Sequence, residues 1–457
     1  MQLNPSTPHV ISFKYLTATS VLTSALLGLS ASAWSMDLMQ AYEAARQQDA
    51  NILASRATAA AGRERLPQAR SQLLPNISFG LQKNNNQLSS TTPNFAGIEQ
   101  TTDTNYPSSN QTLTIRQPLF RPYITAQYRQ AQAQVADTEA ALLQDEQNLS
   151  ARVGAAYFEA MLSYDQLALV LAQRTTTATQ LDATRKAFAG GTGTRTDIDE
   201  AQARLDQTLA LEIEARQNVD YTRQQLEVLV NQPVDKISTL NVSKIELLNP
   251  EPNRIEDWTQ RAENSSPQLR SLRAQLDAAR EEVNKASAGH KPTLDAIAQW
   301  SRSESENVTN TKNRYTNTSV GLQLNIPIYQ GGYVNSQVRQ ALALQERASQ
   351  ALEAGRRDLG VRVYKEFRSV TENVPKIKAL ELALKSAEQL VVSNGKSFQG
   401  GSRTVVDVLN AEQQRTLVQR DLAQARYVYL ISKLRLLALV GEADADAVMA
   451  VNRVLQD

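Results

Sequence analysis

The 457-residue chain contains no cysteine and only two histidines. Without cysteine the protein has no disulfide, no thiolate metal ligand and no cysteine nucleophile. His290 is the only histidine after residue 33, and neither a phosphate-binding glycine loop nor a metal-ligand cluster accompanies it. We therefore expect a protein that is not an enzyme and that holds neither a cofactor nor a metal, although residue types alone leave a carboxylate-only hydrolase open.

Aromatic residues are also scarce, and neither sign of charge is in excess. Aromatic residues make up 5% of the chain, a composition that suits long packed helices better than a globular enzyme core. The formal net charge is +1, and Lys14 is the only charged residue among the first 33. The rest of the chain is therefore balanced, which gives no electrostatic argument for binding to nucleic acid.

The first 33 residues have the features of a signal peptide. Lys14 precedes the mostly apolar stretch LTATSVLTSALLGLS, and Ala31-Ser32-Ala33 provides an A-x-A cleavage pattern. We predict export with a cut after Ala33; the alternative is an ordinary buried N-terminal helix. No later stretch of 18 or more uncharged apolar residues occurs, so the sequence predicts no membrane-spanning helix.

Proline is missing from two long stretches, and the sequence repeats itself across them. No proline lies between Pro122 and Pro233, and residues 332–398 contain only Pro375, where a kink is expected. The segments FAGGTGTRTDIDEA and FQGGSRTVVDVLNA recur 210 residues apart. After each of them apolar residues follow a heptad spacing, in which Glu212 is a polar exception. The pattern predicts two coiled-coil hairpins, although a simple dimeric rod would show it as well.

In two regions apolar and polar residues alternate instead of following the spacing of a helix. Apolar side chains alternate with polar ones along 76–82, 112–116, 294–300 and 319–328, and the polar stretches 84–110 and 303–317 read as loops between paired strands. Four strands of about ten residues are typical of a membrane barrel, although a soluble sheet also alternates. Four strands cannot close such a barrel, which needs about eight. The sequence therefore predicts an oligomer.

Several segments resemble the recurring stretches of the TolC-type outer-membrane efflux and secretion channels. They are MDLMQAYEAARQQDANI, PIYQGGYVNSQVRQA, GSRTVVDVLNA and LAQARYVYL. The resemblance implies an α+β membrane protein, a trimeric β-barrel with four strands per protomer that a long α-helical coiled-coil tunnel continues. The expected organisation is a signal peptide at 1–33, a first repeat at 34–232, an equatorial linker at 233–258, a second repeat at 259–440 and a C-terminal tail at 441–457.

This resemblance also implies a function. The protein would be a homotrimer in the outer membrane of a Gram-negative bacterium, with a large periplasmic part. It would passively conduct secreted proteins (type I secretion), small toxic compounds (multidrug efflux) or both. An inner-membrane transporter of the ABC or RND type would supply the energy, joined through a periplasmic adaptor. The alternative is a periplasmic coiled-coil adaptor or structural protein without a pore. No His- or Met-rich tract supports metal-ion export.

The two repeated turns are the candidate site. Their glycine pairs provide the left-handed residue that ends a helix, and the Thr-x-x-Asp sequence after each pair resembles a capping box. Capping alone would account for both aspartates. The resemblance implies in addition a closed periplasmic gate made by Phe398, Arg403 and Asp407 on an inner hairpin and Thr196 and Asp197 on an outer one. The adaptor would contact the turns at Gly190, Gly191, Gly400 and Gly401.

Charge at these turns suggests how a gate could work. Three copies of Asp407 around a threefold axis would form a ring that favours cations. Arg403 aligns with Gly193 of the first copy, and its guanidinium could bond Asp197 and the Thr196 region of the other turn. Asn410 stands where closely related channels carry a second inner acid, which puts a second acidic ring in doubt.

Overall fold

The computed structural model describes residues 35–306 and 312–455; the predicted signal peptide lies outside them. The first half contains α1 (Leu38–Gln48), α2 (Ala50–Arg63), α3 (Arg65–Ser71), β1 (Asn76–Pro93), β2 (Glu99–Phe120), α4 (Pro122–Ala189) and α5 (Arg195–Val230). The second half contains α6 (Ile255–Ser265), α7 (Pro267–Ser287), β3 (Thr293–Glu306), β4 (Lys312–Asn325), α8 (Tyr333–Gln399), α9 (Val405–Val440) and α10 (Ala445–Asn452). Each half therefore runs through short helices, two strands and two long helices, as the internal repeat predicts.

The four strands form one antiparallel sheet in the order β1-β2-β3-β4. Its register pairs Ile77 with Ile115, and Ala298 with both Ile115 and Val320. Large apolar side chains at alternate positions of the two outer strands are exposed, among them Phe79 at 64% and Leu322 at 69%. Within the described residues the outer edges of β1 and β4 have no strand partner. The sheet thus has an exposed apolar face and two open edges.

The strands are longer than predicted, and both predicted polar loops were wrong. The first hairpin keeps its pairing from Asn84↔Ser108 to Pro93↔Glu99, inside the stretch taken for a loop. In the second, β3 continues to Glu306 and β4 starts at Lys312. Backbone groups complete a ladder whatever the side chains are, so polar residues extend a strand once a neighbour is in place. β1 has 18 residues and β2 has 22.

The helices that leave the sheet are long, as the stretches without proline predict. α4 has 68 residues and α8 has 67, so each is about 100 Å long. Arg121, just before α4, donates from Nε to Oδ1 of the buried Asp295 on β3 at 2.7 Å, which ties the strand-to-helix junction together. α8 continues through Pro375. No helix of the described residues is long and apolar enough to cross a membrane.

The main hydrophobic core lies where the long helices meet the predicted linker and tail. Tyr157 and Phe158 of α4 pack there with Tyr427 of α9. The linker joins this core, since Met36 forms a parallel bridge with Ile237, and the Asn241 N–H donates to Val454 O at 2.9 Å. We call α1, the segment 233–258 and α10 the equatorial belt.

Glu212, the polar exception in the heptad row, is buried in the α4–α5 hairpin. It accepts hydrogen bonds from Arg174 Nη1 and Arg216 Nη2, each at 2.8 Å. Hydrogen bonds from Arg216 and Arg174 hold the pKa of Glu212 below its usual range against the opposing effect of desolvation. At the aligned positions of the second hairpin stand Leu384 for Arg174 and Leu422 for Glu212. One hairpin therefore uses an ionic cluster where the other uses leucines.

This difference predicts a stability result. Glu212→Leu should lower the thermal unfolding temperature by several degrees, because it leaves two arginines beside a buried site without their carboxylate. Adding Arg174→Leu, which copies the second hairpin, should recover most of that loss. Circular dichroism melts of the purified protein would measure both. If the double variant were no more stable than the single one, pairing with Arg174 would not explain the contribution of Glu212 to stability.

Candidate gate at the helical tips

Both helical hairpins turn through the same glycine geometry. Gly191 and Gly401 have φ of +77° and +73°, in the left-handed region, while Gly190 and Gly400 have φ of −82° and −81°. The N–H groups of Gly190 and Gly400 donate to Lys186 O and Lys396 O at 3.0 Å. The predicted left-handed residue is therefore the second glycine of each pair. A residue with a Cβ would be strained there.

The predicted capping boxes are present in both turns. The Thr194 N–H donates to Asp197 Oδ2 at 3.0 Å, and the Asp197 N–H donates to Thr194 Oγ1 at 3.2 Å. In the second turn the corresponding distances between Thr404 and Asp407 are 3.0 and 3.3 Å. The aspartate and the threonine of each box thus satisfy one backbone N–H group each at the start of α5 or α9. The capping role is real, and a role in a gate would be additional to it.

Arg403 lies against the aspartate of its own turn. Its Nη1 is 3.6 Å from Asp407 Oδ1. Hydrogen bonds from the Thr404 backbone and hydroxyl, helped by the charge of Arg403, hold the pKa of Asp407 below its ordinary value. Asp407 is therefore ionised at neutral pH, as a cation-favouring ring would require.

The remaining predicted gate residues lie on the surface of the two turns. Thr196 is exposed, whereas Asp197 and Phe398 are half-buried. The bond that we predict from Arg403 to Asp197 and the Thr196 region stays a prediction about the assembled trimer, since within one chain Arg403 pairs with Asp407.

Sequence reasoning missed Arg204, which bridges the two hairpins. From α5, its Nη2 donates to Asn410 Oδ1 at 3.0 Å and its Nη1 donates to Gln413 Oε1 at 2.7 Å, both on α9. The aligned residue in the second copy is Gln414. An arginine present in only one copy was the signal that drew attention to Arg403, and it marks Arg204 too, together with Arg174, Arg185 and Arg195. Asn410, the residue at which we expect related channels to carry an acid, accepts one of these two hydrogen bonds.

Two long segments of the chain match one known protein family. The family model described as outer membrane efflux protein matches residues 41–232 and 258–442. The chain belongs to this family. In the part of the chain that the structure describes, no group of three or more His, Asp or Glu side chains could hold a metal ion.

Relatives and solved structures agree with that assignment. The chain is 31% identical over 434 residues to the proteases secretion protein PrtF of Dickeya chrysanthemi, with 94% of each chain covered. It is 32% identical over 436 residues to the alkaline protease secretion protein AprF of Pseudomonas aeruginosa, covering 93% of this chain and 89% of that one. It is 30% identical over 449 residues to the outer membrane protein TolC of Escherichia coli, covering 94% and 88%.

Solved structures show the same fold at lower identity. The outer-membrane channel OprN has a TM-score of 0.77 at 17% identity, covering 89% of this chain and 90% of its own. CusC has a TM-score of 0.76 at 15% identity, covering 89% and 92%. These matches confirm the predicted fold class, and the family and its relatives confirm the outer-membrane location.

The bridge made by Arg204 gives a testable expectation. Arg204→Ala should shift a closed channel toward the open state by about fivefold or more, because two hydrogen bonds of about 0.5–1 kcal/mol each are lost between α5 and α9. Single-channel recordings in planar lipid bilayers would measure the open probability. Arg185→Ala is the matched control, since Arg185 bonds Gln202 at 2.9 Å within one hairpin. Equal recordings for both variants and the wild type would refute a role for the bridge.

Proposed function

We propose that the protein is a homotrimeric outer-membrane channel-tunnel that passively conducts cargo from an inner-membrane transporter to the cell exterior. The observation that carries the proposal is a sheet with an exposed apolar face and two open edges, continuous with helices of about 100 Å. The apolar face suits lipid. The helices are long enough to reach far into the periplasm.

Trimerisation follows from the open edges. Backbone N–H and C=O groups without partners are costly in lipid, so a membrane sheet must close on itself. Three copies of a four-stranded sheet give twelve strands, within the range of known membrane barrels. Heat-sensitive trimers in detergent and pores in lipid bilayers are the expected results. A purified protein that is monomeric and forms no pores would contradict this function and favour the adaptor or structural alternative.

The cargo and the partners belong to this proposal as well. Two relatives are named for protease secretion, which supports secreted proteins as cargo, with small toxic compounds remaining as a second class. The adaptor would contact the glycine turns at 190–191 and 400–401, and an ABC or RND-type transporter would supply the energy. Deleting the gene and then comparing secreted proteins with drug sensitivity would separate the two cargo classes.

The closed tips would be opened by breaking their polar links. We infer that Arg403 bonds the Asp197 and Thr196 region of a neighbouring turn in the trimer, and that a rigid-body movement of the hairpins breaks this bond. Arg403→Ala, alone or with Asp197→Ala, should raise single-channel conductance in lipid bilayers. Unchanged conductance in both variants would remove this latch from the mechanism.

The acid at the inner turn gives a pH expectation. Because the Thr404 hydrogen bonds, helped by Arg403, hold the folded-state pKa of Asp407 below its ordinary value, protonating this carboxylate takes a more acidic solution than protonating a free aspartate. A ring of this residue should therefore keep its cation preference at pH 5, and Asp407→Asn should weaken that preference at every pH where the wild type shows it. Reversal potentials in a salt gradient would measure it, with Asp199→Asn, near the start of α5, as control. Equal cation preference in both variants would place Asp407 outside the constriction.

A further inference from the structure

A band of basic side chains crosses the sheet on the same face as its exposed apolar residues. Side chains two positions apart along a strand share one face. On β3 the apolar residues of this face end at Trp300, and Arg302 and Glu304 follow. On β1 they end at Leu81, which is 67% exposed, and Lys83 follows. On both strands the charged residues therefore begin where the apolar surface ends.

One row of the strand register brings these charges to the same height. Lys83 is paired with Ser109, Ser109 with Glu304, and Glu304 with Arg314. The row lies toward the hairpin ends of the strands, away from the ends that lead into the helices. Since neighbouring strands are about 4.8 Å apart, the row is about 14 Å wide from Lys83 to Arg314. We call Lys83, Arg302, Glu304 and Arg314 the basic band.

Glu304 holds the two arginines of the basic band together. Arg302 Nη2 donates to Glu304 Oε1 at 2.8 Å, and Arg314 Nε lies 2.6 Å from the same oxygen. The side chains of Arg302 and Arg314 are nevertheless 38% and 56% exposed. Ion pairs as exposed as these contribute little to stability. One carboxylate also cannot neutralise two guanidiniums, so a positive charge is left over.

The net charge of the basic band is positive. Lys83 is exposed and forms no ion pair with another described residue. Three bases therefore stand against a single carboxylate. One row further out, Lys312 is opposite Glu306 in the register, which adds no net charge. The next acid of this face on β2, Asp103, lies six residues beyond Ser109, about 20 Å away and outside the Debye length at physiological salt.

The opposite face of the sheet is uncharged at this height. Its residues beside the basic band are all neutral and polar, namely Gln82, Asn84, Ser108, Asn110, Ser303, Ser305, Asn313 and Tyr315. In a closed membrane barrel the polar face lines the pore and the apolar face points to lipid. The basic band therefore points outward, at the rim of the apolar surface. The anionic groups found at that depth of a bilayer are those of lipid headgroups.

We propose that the basic band binds the phosphate groups of phosphorylated lipid headgroups in the outer leaflet. Each guanidinium has more N–H donors than one shared carboxylate can accept, so Arg302 and Arg314 donate to phosphate oxygens while Glu304 keeps them side by side. Lys83 adds a further positive charge. The inference rests on the proposed function, which places the helices in the periplasm and so turns this end of the sheet toward the exterior.

Binding of bisphosphorylated lipid A to the purified protein in nonionic detergent tests the basic band, with microscale thermophoresis as the measurement. Arg302→Gln/Arg314→Gln should raise the half-saturating lipid concentration about tenfold, because two charge-assisted contacts are lost. Arg116→Gln/Lys291→Gln removes the same number of charges from exposed positions at the helix end of the sheet, and it should bind like the wild type. Glu304→Gln should bind at least as tightly as the wild type, since the competing carboxylate is gone.

Two further ligands identify the source of the phosphate. Lipid A without its phosphates should bind equally weakly to the wild type and to Arg302→Gln/Arg314→Gln. Inorganic phosphate at the same concentration as the bisphosphorylated lipid should not compete with it. Competition at that concentration would show a site for free anions and would overturn the assignment to a lipid headgroup.

Pore formation in planar bilayers shows that each variant is folded, and it separates this inference from the proposed function. Normal pores with the same half-saturating concentration in all variants would overturn the basic band as a headgroup site. The absence of pores in the wild type would instead contradict the proposed function. Should Arg302→Gln/Arg314→Gln form no pores, Lys83→Gln leaves the Glu304 contacts intact and should raise the half-saturating concentration about threefold. An unchanged value in that variant would equally overturn the site.

Discussion

The unpaired edges of the four-stranded sheet are the constraint on which the rest of the structure depends. Strands β1 and β4 each leave one row of backbone groups without a strand partner in the described chain, beside a face of exposed leucine, isoleucine and phenylalanine side chains. In lipid the backbone groups of the two edges cannot stay unpaired in a lone subunit, and the apolar face must point away from any water-filled lumen. Association with further copies satisfies both at once, because closing the sheet pairs its edges and turns the apolar face outward. The long helices then have a shared axis around which to pack.

Duplication explains how one chain builds this arrangement, and the differences between its halves show where each half is specialised. The two turns have nearly the same glycine φ angles and the same capping distances. The hairpins differ in their charged residues. Glu212, which binds two arginines, has Leu422 at the aligned position of the second hairpin, and Arg204 and Arg403 each occur in one copy only. The common features set the fold. The charged residues that occur in only one copy link the two hairpins, as Arg204 does, or bind the two helices of one hairpin together, as Glu212 does.

The features that could be predicted from the sequence are those set by residues close together in the chain. Glycine pairs, Thr-x-x-Asp boxes and proline-free heptads act within a few residues, so the turns, caps and long helices were predicted correctly. The hairpin between Asn84 and Ser108 was not, because a strand of polar residues depends on a neighbouring strand rather than on its own alternation. Three helices precede the first strand pair, and the side chain of Asp49 caps the second of them at Ile52 N. Comparing the two copies can mark Arg204 as unusual, but its partners on α9 lie more than 200 positions away in the chain, so the bridge itself could not be predicted.

The charged side chains of the helical hairpins form contacts of two kinds. Glu212 is held by two arginines, and Asp407 by a threonine and an arginine, so their ionisation stabilises the folded hairpins. Arg204, by contrast, donates to the neutral side chains of Asn410 and Gln413, and these hydrogen bonds run from α5 to α9. Contacts of the first kind hold one hairpin or one turn together, whereas those of Arg204 connect one hairpin to the other. A movement of the hairpins relative to each other would therefore break the Arg204 bonds and leave the ion pairs inside each hairpin intact.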